Sequence, residues 1–114
     1  MMQFKFPKND EKYSWTNHVG RKMMFYGLSA DRIKRVMRNP KRSEKGVAPE
    51  TIAVMQPAGT NNRPYEVWVM YAQKPSNKKL IITAWRYPGV SPVRDEIPIP
   101  PDIIEELKRE GLLK

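Results

Sequence analysis

A single histidine, His18, stands three and four residues ahead of Arg21 and Lys22, which on a helix gathers all three near one face. Imidazole is the only side chain whose unperturbed pKa lies near neutrality, and cations beside it suit a reaction that builds negative charge. Metal-free cleavage of RNA is such a reaction. A base deprotonates the 2′-hydroxyl, cations hold the crowded phosphorane, and an acid protonates the leaving oxygen. DNA lacks that hydroxyl and is not cut this way. Arg86 and Tyr87 close the most strand-like segment, and Arg42 and Lys45 lie in a basic connection. His18, Arg21, Lys22 and Arg86 are the expected catalytic groups. Each has a structural alternative: His18 as a packing or capping residue, Arg86 as a partner of Glu66 across a sheet.

Other chemistries are excluded by what the chain lacks. It has no cysteine and one histidine, which removes disulfides, thiolate zinc sites and His-rich metal centres. No glycine-rich phosphate loop, close carboxylate pair or nucleophile elbow is present, which argues against NTPases, ordinary metal nucleases and α/β-hydrolases. No cofactor or metal is expected.

The net charge of +9 favours a polyanionic partner, RNA or the ribosome, because each neutralised phosphate releases counterions. A merely solubilising surface is the alternative. Arg32, Arg35, Arg38, Lys41, Arg42 and Lys45 are the expected nucleic-acid contacts. Trp85 and Tyr87, with Trp68 and Tyr71, could stack bases, although aromatics on strands more often fill a core. The charge is uneven, with the bases gathered between Tyr13 and Arg94 and half of the acids following from Asp95 onward. No run approaches the ~20 apolar residues of a membrane span. The opening MMQFKFPKNDEK lacks a signal peptide's apolar core, so a cytoplasmic protein is expected.

The elements that must position these groups can be read in order. Met1 to Pro7 alternates loosely and suits a short edge strand or an arm. Ser14 or Thr16 can cap a first helix whose buried stripe is Trp15, Val19, Met23 and Tyr26. Gly27 suits a left-handed C-terminal position. Ser29 caps a second helix, with Ile33, Val36 and Met37 inward and Arg32, Lys34, Arg35 and Arg38 around the rest. Asn39-Pro40 stops it. Lys41 to Pro49 reads as a turn-rich connection.

Three strands are expected next: Thr51 to Gln56, Tyr65 to Tyr71 and Lys79 to Tyr87, the last with Leu80, Ile82 and Ala84 opposing Ile81, Thr83 and Trp85. Short connections make them antiparallel. Pro88 to Pro101 is extended, and Asp102 to Glu110 forms a last helix with Ile103, Ile104 and Leu107 inward, begun by Pro101 and ended by Gly111. The fold class is α+β: an N-terminal helical hairpin on a three- to four-stranded antiparallel sheet, then a proline-rich extended segment and a C-terminal helix. Residues 1–90 form the domain, and 91–114 an extension packed on it or swapped from it.

His18, Lys22, Met23, Gly27, Leu28, Ser29, Asn39 and Pro40 together resemble the signature H-x-x-x-[RK]-M…G-[ILV]-S…NP of small bacterial domains without an assigned activity. Trp15, Gly27, Ser29 and the segment Ile81 to Arg86 are similar to BrnT-type toxins of the RelE/ParE-like superfamily, over roughly residues 13 to 88. Tyr26 departs from the BrnT pattern, where a His precedes the glycine. The resemblance implies a cytoplasmic toxin-like protein, an acidic antitoxin as partner, and in several branches RNA cleavage by basic and aromatic residues. The expected function is RNA binding with possible endoribonuclease activity, as a monomer or homodimer. The alternative is a non-catalytic nucleic-acid- or ribosome-binding module on the same fold. The acidic tail could also fold back over the basic groove as an internal cover.

Overall fold

The computed structural model describes residues 5–93 and 96–113, so Met1 to Phe4 of the N-terminal segment, Arg94 and Asp95 lie outside the described residues. Asp10 organises the entry, its Oδ1 accepting from the Lys12 and Tyr13 N–H groups at 2.8 Å each. The chain enters β1 (Tyr13–Trp15) and passes through Thr16 into α1 (Asn17–Tyr26). The Thr16 hydroxyl accepts from the Val19 N–H at 3.0 Å and donates to the Ile82 carbonyl at 2.7 Å. One side chain therefore caps the helix and fixes where it leaves the sheet.

Trp15 belongs to the strand, opposite Ile81, and not to the helix stripe that its spacing to Val19 predicts. Backbone pairing with a neighbouring strand outweighs that local periodicity. Val19 and Met23 are fully buried. Gly27 ends α1 at φ 68°, where a side chain is disfavoured. Ser29 Oγ accepts from the Arg32 N–H at 3.1 Å and opens α2 (Ala30–Arg38), which buries Ile33 and Val36.

Next come β2 (Arg42–Lys45), β3 (Thr51–Gly59), β4 (Pro64–Gln73) and β5 (Lys79–Pro88), giving a mixed sheet ordered β1-β5-β4-β3-β2. The antiparallel meander β3–β4–β5 is the expected one. The sheet is wider because β1 pairs parallel with β5 and β2 pairs antiparallel with β3. Arg42 and Lys45 are thus strand residues, opposite Met55 and Ile52, and not parts of a loop. β2 carries only polar and charged side chains, as edge strands commonly do, so it gives no hydrophobic strand signal.

A bulge between Met70 and Tyr71 shifts the β4–β5 register: Thr83 faces Met70 while Ile81 faces Tyr71. Ile82 is the unopposed residue. The expected alternation breaks there, because Ile81 and Ala84 share one core while Ile82 and Trp85 share the other. Val54, Val67, Val69, Ile81 and Ala84 lie under Val19, Met23, Leu28, Ile33 and Val36 of the hairpin. The opposite face presents Met55, Trp68, Met70, Ile82 and Trp85 to Ile103 and Leu107 of α3 (Pro101–Arg109). Both leucine-type anchors are fully buried, each worth about 1.5–3 kcal/mol of transfer free energy. The sheet is covered on both sides, as its central apolar strands predict. Among the described residues no helix is long and apolar enough to cross a membrane.

Candidate nucleic-acid interface

α1 and α3 meet along a line of opposite charges. His18 is 1% exposed. The Thr83 hydroxyl is 2.8 Å from its Nε2, and its Nδ1 lies 3.2 Å from Glu110 Oε2. Burial lowers the His18 pKa below its ordinary value, outweighing the raising effect of Glu110 and Glu106. The ring is therefore neutral near pH 7. A carboxylate can only accept, so Nδ1–H donates to Glu110 and Nε2 accepts from Thr83. Lys22 Nζ lies 2.8 and 3.0 Å from the two oxygens of Glu106, and Arg21 Nη2 donates to Glu110 Oε1 at 2.6 Å. That Arg21 bond is the main reason the Glu110 carboxyl titrates below the usual range.

Hydroxyl, imidazole and carboxylate stand in the order of nucleophile, base and orienting acid. Thr83 and His18 are buried, however, beneath Glu106 and Glu110, so neither the hydroxyl nor the imidazole is open to a substrate, and only the Glu110 end is partly exposed. His18 and Lys22 are not the accessible catalytic rim that their spacing predicts. They act as a latch between α1, β5 and α3. Arg21 remains exposed but is engaged by Glu110.

Arg86 does not join them. Its guanidinium lies 4.8 Å from the Tyr65 ring centroid, and its Nη2 makes a long 3.5 Å contact with the Gly27 carbonyl. Nor does it pair with Glu66. The register places Tyr87, not Arg86, opposite Glu66, so the two side chains project from opposite faces. Glu66 is buried and accepts from Trp68 Nε1 (3.0 Å), the Ser91 N–H (3.1 Å) and the Ser91 hydroxyl (2.6 Å). Arg42 donates to Ser91 Oγ at 2.7 Å, pairs with Glu44 at 2.9 Å, and lies over the Trp68 ring. It is a tie between β2 and the segment after β5, and is not free for phosphate.

The aromatic expectations also change. Trp68 and Trp85 are fully buried and stacked on each other, with 5.8 Å between centroids and 3° between planes. Neither offers a face to a base. Tyr71 and Tyr87 are partly buried against the two cores. Lys45 is exposed on β2 and shares an open depression with Glu44 and Glu96.

The open cations lie on α2 and just after it. Arg35, Arg38 and Lys41 are exposed and Arg32 is half-buried. Among the described residues no carboxylate pairs with any of them, whereas Lys34 reaches Asp10 at 3.7 Å. Gln56 fixes the C-terminal end of this helix, donating to the Arg35 and Asn39 carbonyls at 3.2 and 2.8 Å. The arrangement can bind an anion along an exposed helix.

Sequence reasoning missed Thr83, Glu106, Glu110 and the Glu66–Ser91 pair. One signal was present: Glu106 and Glu110 repeat the four-residue step of Lys22 and His18 with opposite charge. Among the described residues no group of three or more His, Cys, Asp or Glu could hold a metal ion. Comparison of the chain with protein-family models, curated proteins and solved structures finds no match.

Proposed function

We propose that this chain is a small RNA-binding protein of the RelE/BrnT-like toxin type, working in the cytoplasm, and that its RNA surface is the open side of the hairpin. The observation that carries the reading is that Arg32, Arg35, Arg38 and Lys41 have no carboxylate partner among the described residues. Their charge is available for counterion release on a phosphate backbone. The toxin-type assignment, with an acidic antitoxin as natural partner, rests on the sequence resemblance. The hairpin followed by an antiparallel meander is compatible with it.

Binding is favoured over cleavage because His18 is shut beneath α3. Any endoribonuclease activity has to draw on Arg86 and the open arginines. The test is fluorescence anisotropy with single-stranded RNA across a salt series, followed by incubation of the same RNA in EDTA. Salt-dependent binding that falls when Arg32, Arg35 and Arg38 are made Gln supports the reading. Absence of binding at low salt overturns it, and metal-independent cleavage products would restore the enzyme.

A further inference from the structure

The end of the sheet beyond α2 carries a side-chain arrangement that the fold alone does not require. On the hairpin face, Gln56, Val67 and Arg86 form one row, and Ala58, Tyr65 and Pro88 the next and last. Contacts at Gln56 and Arg86 hold the C-terminal end of α2 and the α1–α2 turn to the first row. The Tyr65 ring is seated against the β3–β4 turn at Gly59, whose φ is 82° and where a Cβ would come within 2.9 Å of that ring. Arg86 places its Cζ 4.8 Å from the centroid of the same ring. On its other flank a Cβ at Gly27 would stand 4.0 Å from Arg86 Nη2. Gly89, at φ 88°, donates its N–H to the Pro64 carbonyl at 2.9 Å just past the end of β5, and a Cβ there would meet nothing within 4 Å. Of these reversals, the Gly27 turn stands beside the guanidinium and the Gly59 turn beside the ring that it contacts.

That guanidinium is incompletely satisfied. Among the described residues its buried Nε has no hydrogen-bond partner and its terminal nitrogens make only the long Nη2 contact to Gly27, and it is these terminal nitrogens that a ligand from outside can reach. A cation with unmet donors is costly unless an acceptor completes it. No carboxylate lies within pairing distance of Arg86 among the described residues, in contrast to Arg21, Lys22 and Arg42. Arg63 belongs to the adjoining turn, and Arg32 lies on the side of α2 away from Lys34. Neither has a carboxylate partner among the described residues. An arginine pre-oriented on an aromatic ring loses little freedom on binding and presents its fork to a phosphate.

We propose that Arg86, held against Tyr65 beside Gly27, is a phosphate-binding subsite, with Arg63 and Arg32 as flanking cations. This deepens the RNA reading and rests on it for the source of the phosphate, a backbone phosphodiester. Free phosphate and a mononucleotide carry the same chemistry and form separate arms of the test.

The experiment titrates the full-length protein with inorganic phosphate, with adenosine monophosphate and with a single-stranded RNA 12-mer. Amide NMR shifts locate the site and anisotropy measures RNA affinity. Wild type is compared with Arg86→Gln, Arg86→Lys, Tyr65→Phe and Tyr65→Leu, each checked for native dispersion in the spectrum. RNA is expected to move the Gly27, Tyr65 and Gly89 amides. Arg86→Gln should weaken RNA about tenfold and lower the log–log salt slope by ~0.7, one phosphate contact on a single strand. Arg86→Lys and Tyr65→Leu should lose part of that, and Tyr65→Phe almost none. If Arg86→Gln binds like wild type while Arg32/Arg35/Arg38→Gln does not, the subsite falls and the RNA reading stands. If neither variant changes RNA binding, or if RNA, phosphate and the mononucleotide all fail to bind, both fall. Movement of these amides by free phosphate or the mononucleotide alone keeps the subsite and removes RNA as its source.

Discussion

α1 and α2 are basic helices of similar length in one hairpin, yet their charges end in opposite situations. His18, Arg21 and Lys22 on α1 meet Glu106 and Glu110, whereas Arg32, Arg35 and Arg38 on α2 meet no carboxylate among the described residues. The difference is one of placement. α1 follows β1 along the β5 side of the sheet, where its flank reaches α3 on the far face; α2 packs over β3 and β4 on the near face. Charge density along the chain is therefore a poor guide to charge available for a partner. What decides is whether an acidic element lies across the same edge.

The strongest way to break this contrast is to loosen α3. Leu107→Ala removes a fully buried anchor and should cost about 2–5 kcal/mol, read from urea denaturation. A loss under about 1 kcal/mol would mean that α3 is a detachable cover and that α1 is open in solution. Next in size is the charge line itself. Glu106→Gln with Glu110→Gln leaves Lys22 and His18 without carboxylates and should cost about 1–3 kcal/mol, with RNA affinity almost unchanged. A large gain in RNA binding at little cost in stability would show instead that α1 is a masked RNA site.

The pH dependence follows in size. His18 and Glu110 both titrate below their ordinary values of 6.5 and 4.5. The unfolded chain then binds more protons than the folded one below those values, so stability is full above them and lost as pH falls. Melting curves should be flat above pH 7, decline below about 6.5 and steepen below about 4.5. The His18→Gln variant should keep only the lower decline, and an unchanged upper decline would acquit this histidine. The smallest change in stability belongs to α2. Neutralising Arg32, Arg35 and Arg38 should alter it by under about 0.5 kcal/mol, while the salt slope for single-stranded RNA falls by about 2. Equal losses of stability from both helices would erase the contrast.

Much of the hairpin was legible in the sequence. Gly27 and Ser29 gave its reversal and second cap, and Val19, Met23, Ile33 and Val36 its buried stripe, because each signal is local. Trp15 misled, since a residue at helical spacing from Val19 can equally lie on the preceding strand. Arg42 misled for another reason. An edge strand of charged residues has no apolar pattern, and the side-chain partners of Arg42, Glu44 aside, are the distant Trp68 and Ser91. The candidate site was the least legible part, because His18 faces groups more than sixty residues away along the chain, Thr83 and Glu110.

The sequence by itself determined the three helices and the central three-stranded meander, the covering of the sheet on both faces, the strong positive charge and the lack of thiolate or His-rich metal chemistry. These follow from residue type and short-range periodicity, which backbone sterics and burial translate directly. Only the tertiary structure decided that α1's cations meet Glu106 and Glu110 while Arg32, Arg35 and Arg38 of α2 meet no carboxylate among the described residues, that Trp85 is core, and that Arg86 rests on Tyr65 away from His18. Those outcomes depend on which face a side chain leaves and what crosses that face. A one-residue bulge at Ile82 and the direction of α3 fix both, and neither leaves a local mark in the chain.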